Sequence, residues 1–240
     1  MAPSKATKNR LIVALDMPTL EEASRLVQTL DDNVSFYKIG LELLFAGGLS
    51  FAQTLSEQQK DVFLDMKLLD IGNTVERAVG NAAELGVKFL TIHGHDMKTL
   101  KSALAGRGSA DMKLLAVTVL TSLDAADLKQ QGTEMAPAEL VLHRAAMAYE
   151  SGFDGVVASG QEAAKIRDIT GPDFLIVTPG IRLNATATDD QERVITPDHA
   201  IDNGANYLVV GRPITQADDP VMAARTFLDH ITSALEQRAE

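Results

Sequence analysis

Short apolar runs rich in β-branched residues alternate along the chain with longer segments of mixed polarity. The runs are LIVALD (11–16), SFYKIG (35–40), DVFLDMK (61–67), FLTIHG (89–94), LLAVTVL (114–120), GVVAS (155–159), FLIVTPG (174–180) and YLVVGRP (207–213). Each precedes a stretch of helical periodicity, the signature of βα units feeding a parallel sheet. Eight such units in 240 residues predict a single (β/α)8, or TIM, barrel with parallel strands, a fold of about 250 residues. A doubly wound open sheet fits less well. It usually has fewer strands and a glycine fingerprint after the first, and LDMPTLEEA contains none.

Helix punctuation agrees with this parsing. Asp219 is placed to cap a last helix that begins at Pro220, and Val221, Ala224, Leu228, Ile231 and Leu235 then form an apolar stripe that predicts packing against the barrel. No Pro/Gly/Ser-rich linker divides the chain. Residues 1–9 are expected to be a disordered lead-in and residues 10–240 one catalytic barrel domain. The one long aperiodic stretch, RLNATATDDQER (182–193), reads either as a mobile lid or as a plain surface loop.

The strand pattern is broken by charge. In FLDMKLLDIGNT (63–74), Asp65 and Lys67 fall on the same face as Phe63, because side chains two apart on a strand point the same way. Asp16 closes the first run and Lys38 lies near the end of the second. Three consecutive strands therefore carry Asp16, Lys38, Asp65 and Lys67 to one rim, with Asp70 just beyond. In this architecture the C-terminal strand ends form the active-site mouth. Alternating signs let each charge support its neighbour, whereas an isolated buried ion costs several kcal/mol. Ordinary strand-end ion pairs, with Asp70 capping the next helix, are the plainer account of any one residue but not of all five together.

A second polar cluster falls after the seventh and eighth strands, in TPGIR (178–182) and VVGRP (209–213). Loops at those places form a recurring phosphate site in barrels of this type. Gly211 permits close backbone approach, while Arg182 and Arg212 offer planar donors to an oxyanion.

Composition narrows the possible partners. With 33 acidic against 22 basic side chains, the net charge of −11 argues against general binding to nucleic acid or to an anionic membrane. A 45% hydrophobic content suffices for one large core. The absence of cysteine removes disulfide, thiolate and Cys-ligated zinc chemistry, in keeping with a cytoplasmic protein. MAPSKATKNR has no apolar segment of the secretory kind, and no apolar run approaches the ~18 residues of a membrane span. His93 and His95 in TIHGHD read as a strand-end packing group and a loop residue, since no supporting cluster makes them a metal pair.

The run FLDMKLLDIGNT, together with VALD, YKIG, LAVTVLTS, DGVVAS, VTPGIR and VVGRPIT in that order, resembles the orotidine 5′-monophosphate decarboxylase family in its bacterial single-function form. The resemblance covers nearly the whole chain. It implies a homodimeric barrel that acts on orotidine 5′-monophosphate with neither cofactor nor metal. Carried over by position, Lys67 matches the lysine that supplies the proton to C6 of the pyrimidine. Asp65 matches the carboxylate beside the substrate carboxylate, and Asp70 matches an aspartate donated across the dimer. With Lys38 they make a Lys-Asp-Lys-Asp array. Asp16 and Lys38 resemble the residues that hold the ribose hydroxyls, and Thr74 resembles a further contribution across the interface. Thr121 corresponds to a threonine near the base, with Ser122 beside it. Arg182, Gln191, Gly211 and Arg212 match the phosphate and lid contacts.

Two alternatives stand beside that expectation. Related barrels with an Asp-x-Lys-x-x-Asp strand, such as keto-gulonate-phosphate decarboxylases and hexulose-phosphate synthases, use Mg2+ and a Glu near the end of strand two, where this chain has Lys38. Glu42 falls in the helix that follows and reads as a solvated residue. A catalytically silent nucleotide-binding barrel is the other.

Overall fold

The structure, a computed structural model, describes residues 5–184 and 194–238. The strands are β1 (Leu11–Ala14), β2 (Phe36–Ile39), β3 (Asp61–Leu68), β4 (Phe89–His93), β5 (Lys113–Val117), β6 (Gly155–Val157), β7 (Leu175–Thr178) and β8 (Tyr207–Val210). All pair in parallel with their sequence neighbours, and β8 returns to β1 to close the barrel. Closure removes both sheet edges and rules out the open-sheet alternative.

The principal helix after each strand is α1 (Leu20–Leu30), α2 (Leu49–Glu57), α3 (Gly72–Ala83), α4 (Met97–Arg107), α5 (Pro137–Ser151), α6 (Ala163–Thr170), α7 (Pro197–Asp202) and α8 (Pro220–Gln237). Their starts are set by side-chain caps at several points. Thr19 accepts from the Glu22 N–H, Asp96 from the Thr99 N–H and Asp219 from the Met222 N–H, each satisfying a donor that the first helical turn leaves unpaired. On α8 the buried residues are Ala224, Phe227, Leu228, Ile231 and Ala234, so the predicted stripe is recentred slightly, with Leu235 half-buried at its edge. Within the expected lead-in, Lys5–Lys8 form one helical turn, with Thr7 buried and the Lys8 ammonium donating to the Asp32 carbonyl.

Two cores result from the strand alternation. One lies between the sheet and the helices; the other fills the barrel interior with Ile12, Ala14, Phe36, Phe63, Phe89, Leu115, Val177 and Val209. Phe89 packs edge-on against Tyr207 with ring centroids 5.0 Å apart and lies 5.1 Å from Phe36, which makes a solid floor. Counting two residues along each strand from this floor reaches Asp16, Lys38, Asp65 and Thr91. The apolar layer thus sets the height at which polar side chains emerge.

Behind β3 and β4, α3 and α4 pack so closely that a Cβ on Gly106 would overlap the Glu76 carbonyl oxygen. Gly106→Ala is expected to lower stability by about 1–3 kcal/mol, the usual cost of overpacking. A reduced urea midpoint with an unchanged m-value would report it.

Candidate active site

At the C-terminal strand ends four charged side chains form a continuous chain of ion pairs. The Lys38 ammonium donates to Asp16 Oδ1 at 2.8 Å and lies 3.6 Å from Asp65 Oδ2, while Lys67 Nζ donates to the same Asp65 oxygen at 2.7 Å. Asp65 and Lys38 are largely withdrawn from water, with 13% and 9% of their side-chain surface exposed, against 51% for Asp16. Burial alone raises the Asp65 pKa, but Lys38, Lys67 and a hydrogen bond from Thr91 outweigh it and hold the carboxyl below its ordinary value. It is therefore an anion wherever the protein is folded near neutral pH.

The backbone contributes to this arrangement. Lys67 has φ of +50°, and the β3–β4 register shifts between Leu64 and Leu68. A left-handed conformation at a residue with a side chain costs on the order of 1–3 kcal/mol and persists only where its surroundings hold it. Here the Lys67 N–H donates to Thr91 Oγ1 at 2.9 Å, and that hydroxyl donates to Asp65 Oδ1 at 3.0 Å. Thr91 thus fixes both the strained peptide and the carboxylate. Its inward phase, two residues after Phe89, is visible in FLTIH, but only the irregular strand brings its hydroxyl to Lys67. Gly40 is needed for a different reason: a Cβ there would sit 2.6 Å from Asp16 Oδ1 and 2.8 Å from Lys38 Nζ.

Two cavities open from this array. One, of about 520 Å³, is lined by Asp16, Lys38, Arg182, Gly211 and Arg212, and also by Glu42. Glu42 is exposed as expected of a solvated residue, yet it borders this cavity. The other, of about 210 Å³, is lined by Lys67, Leu120, Thr121 and Ser122. Pro179 borders both. The Arg182 N–H donates to the Ile195 carbonyl at 3.0 Å, and the Ile195 N–H donates to Gly180 at 3.2 Å, so the two stems of the 182–193 stretch are tied together. Residues 185–193, including Gln191, lie outside the described residues.

Asp70 and Thr74 are not brought to the array within this chain. Both are exposed; Asp70 accepts from the Ile71 N–H, and the Thr74 N–H donates to the Ile71 carbonyl. Leu69 and Ile71 beside them are 48% and 73% exposed. His93 and His95 stack with centroids 4.7 Å apart. Burial first, then proximity to His95, Arg144 and Lys67, outweighs Asp65 and pushes His93 down to about 4, so it is neutral at pH 7. Among the described residues no group of three or more His, Asp or Glu side chains is arranged to hold a metal ion, and no helix is long and apolar enough to cross a membrane.

Known proteins share this arrangement of sequence and fold. The orotidine 5'-phosphate decarboxylase / HUMPS family matches residues 9–227. Proteins named orotidine 5'-phosphate decarboxylase from Rhodopseudomonas palustris and Afipia carboxidovorans are 51% and 52% identical over 227 residues, spanning 95% of this chain and 96% of each relative. The crystal structure of orotidine 5'-phosphate decarboxylase from Lactobacillus acidophilus superposes with a TM-score of 0.81 at 38% identity, over 92% of this chain and 98% of that one. With its closed barrel and its charged mouth on β1 to β3, the chain belongs to the orotidine 5'-phosphate decarboxylase / HUMPS family.

Proposed function

We propose that this chain decarboxylates orotidine 5′-monophosphate to UMP and CO2, a step of pyrimidine biosynthesis, and does so without a metal or an organic cofactor. The observation that carries the reading is the Lys67 ammonium, held 2.7 Å from a buried Asp65 carboxylate that Lys38 also supports. Loss of CO2 leaves an electron pair on C6 of the pyrimidine, with no carbonyl placed to accept it. An ammonium already oriented there stabilises that charge without solvent reorganisation. Lys67 then donates its proton to C6 and is reprotonated from water.

Substrate placement follows from the two cavities. The phosphate occupies the larger one, against Arg182, Gly211 and Arg212, with Gln191 as a further contact. Asp16 and Lys38 hold the ribose hydroxyls, and the base enters the smaller cavity beside Thr121. Binding energy from the phosphate, remote from C6, then serves to orient the reacting centre. Asp65 sits beside the substrate carboxylate, where its negative charge favours departure of CO2.

The working unit in this reading is a homodimer in the cytoplasm, in which Asp70 and Thr74 of the partner subunit complete the site. The exposed Leu69 and Ile71 support this, since a second copy would cover them. Lys38, at the end of β2, carries a positive charge that repels a divalent cation. That favours the metal-free reaction over the Mg2+-dependent sugar-phosphate chemistry of related barrels.

The decisive assay follows the absorbance of orotidine 5′-monophosphate with purified protein in EDTA. Conversion to UMP should survive chelation, and kcat should fall by about 10³-fold or more in Lys67→Ala, which loses both the charge and the proton donor. Absence of conversion by folded protein, or near-normal turnover in Lys67→Ala, overturns the assignment.

Asp65 also links the site to stability. A carboxyl with a depressed native pKa stabilises the fold above its unfolded value of about 3.9, and that contribution disappears as pH falls through the native value. Asp65→Asn is therefore expected to be less stable than the parent at pH 7. The gap should persist down to about pH 5 and narrow only below about pH 4. Chemical denaturation of both proteins across that range measures it.

A further inference from the structure

The opposite end of the barrel carries a cluster of positive charge that the reaction does not use. Arg10 immediately precedes β1, Arg167 lies on α6 and Arg238 follows α8; together with Asn206 and Gly204 they line a cavity of about 240 Å³. Their observed hydrogen-bond acceptors are neutral amide oxygens. Arg167 donates to the carbonyls of Gly171, Phe174 and Gly204 and to Asn206 Oδ1, at 2.5–2.8 Å. Arg10 donates to the Asn206 carbonyl and Arg238 to that of Ile201.

Among the described residues none of the three forms an ion pair with a carboxylate. Asp173 is close enough to be felt by Arg167 but makes no ion pair with it. Burial, and then Arg238, make Arg167 a stronger acid than a free guanidinium, and the opposing influence of Asp173 does not reverse this, as expected where like charges converge. In a chain with 33 acidic side chains against 22 basic ones, three guanidiniums around one cavity with no ion-paired carboxylate among the described residues are not a consequence of composition.

We propose that this cavity is a binding site for a phosphate group, presented either as inorganic phosphate or by a nucleotide. Arg10 and Arg238 each keep several N–H donors beyond the single bond observed, and guanidinium forks match the oxygens of a tetrahedral oxyanion. A dianion offsets more of the threefold charge than a carboxylate does. The volume of about 240 Å³ takes a phosphate group together with bridging waters, so both the free ion and a nucleotide-borne phosphate fit it. The site is separate from the mouth, which lies at the other ends of the same strands, and does not depend on the decarboxylase reading.

Because the mouth also carries arginines, the test uses protein with Arg182→Gln and Arg212→Gln as its starting point. Isothermal titration with sodium phosphate at low ionic strength is expected to show one site per chain. Adding Arg238→Gln, on the exposed end of α8, or separately Arg10→Gln, should weaken that site tenfold or more while far-UV circular dichroism stays unchanged. Titration with UMP then separates the sources: displacement of phosphate identifies a nucleotide-borne group as an acceptable ligand, and its absence restricts the site to the free ion. No heat with phosphate in the starting protein, or affinity unchanged by both further substitutions, overturns the proposal.

Discussion

A carboxylate withdrawn from water is costly unless cations and hydrogen bonds replace its hydration, and the mouth of this barrel is organised around meeting that cost at Asp65. Lys67 and Lys38 flank it, Thr91 donates to its other oxygen, and Asp16 in turn occupies Lys38. Removing Lys38 leaves the largely buried Asp65 carboxylate short of a counter-charge, a kind of loss that costs about 3–5 kcal/mol in buried pairs, whereas the half-exposed Asp16 matters less. The four charges are thus mutually dependent, and the elements that carry them have to end at the same height.

That common height comes from the barrel itself. Phe36, Phe63 and Phe89 form adjacent parts of the floor, and the next inward positions on the same strands are Lys38, Asp65 and Thr91. Closure around eight strands holds these positions in register without any flexible element between them. Against so regular a scaffold, the left-handed peptide at Lys67 stands out as the local departure that directs its ammonium to Asp65. The helices behind contribute through close packing, as where Gly106 lets α4 rest on the α3 backbone.

In the proposed reading, recognition is divided between the two sides of the mouth. Arginines and Gly211 border the larger cavity, whereas Leu120, Thr121 and Val119 give the smaller one a more apolar wall. The two surfaces differ in polarity, with the charged array on β1–β3 completing the mouth, which suits the proposed placement of phosphate and base. At the other end of the strands Arg10 and Arg167 join loops through backbone carbonyls, so positive charge is used there to brace structure as well as to await an anion.

Much of this was legible in the sequence because the signals are local. Alternating β-branched runs mark each strand, Asp219 and Pro220 mark the start of α8, and the two-residue period of FLDMK aims Asp65 inward beside Lys67. Other features depend on chain segments meeting in space. Thr91 looks like any strand threonine until the register shift in β3 brings the Lys67 N–H to it. Glu42 reads as a solvated helical residue, yet the curve of the chain after β2 sets it at the cavity edge. Arg10, Arg167 and Arg238 are more than 70 residues apart from one another in sequence, and only barrel closure, by joining β8 to β1, gathers them. Periodicity reports the direction a side chain takes from its own strand or helix; which other side chains await it there is decided by closure and register, which no short stretch of sequence encodes.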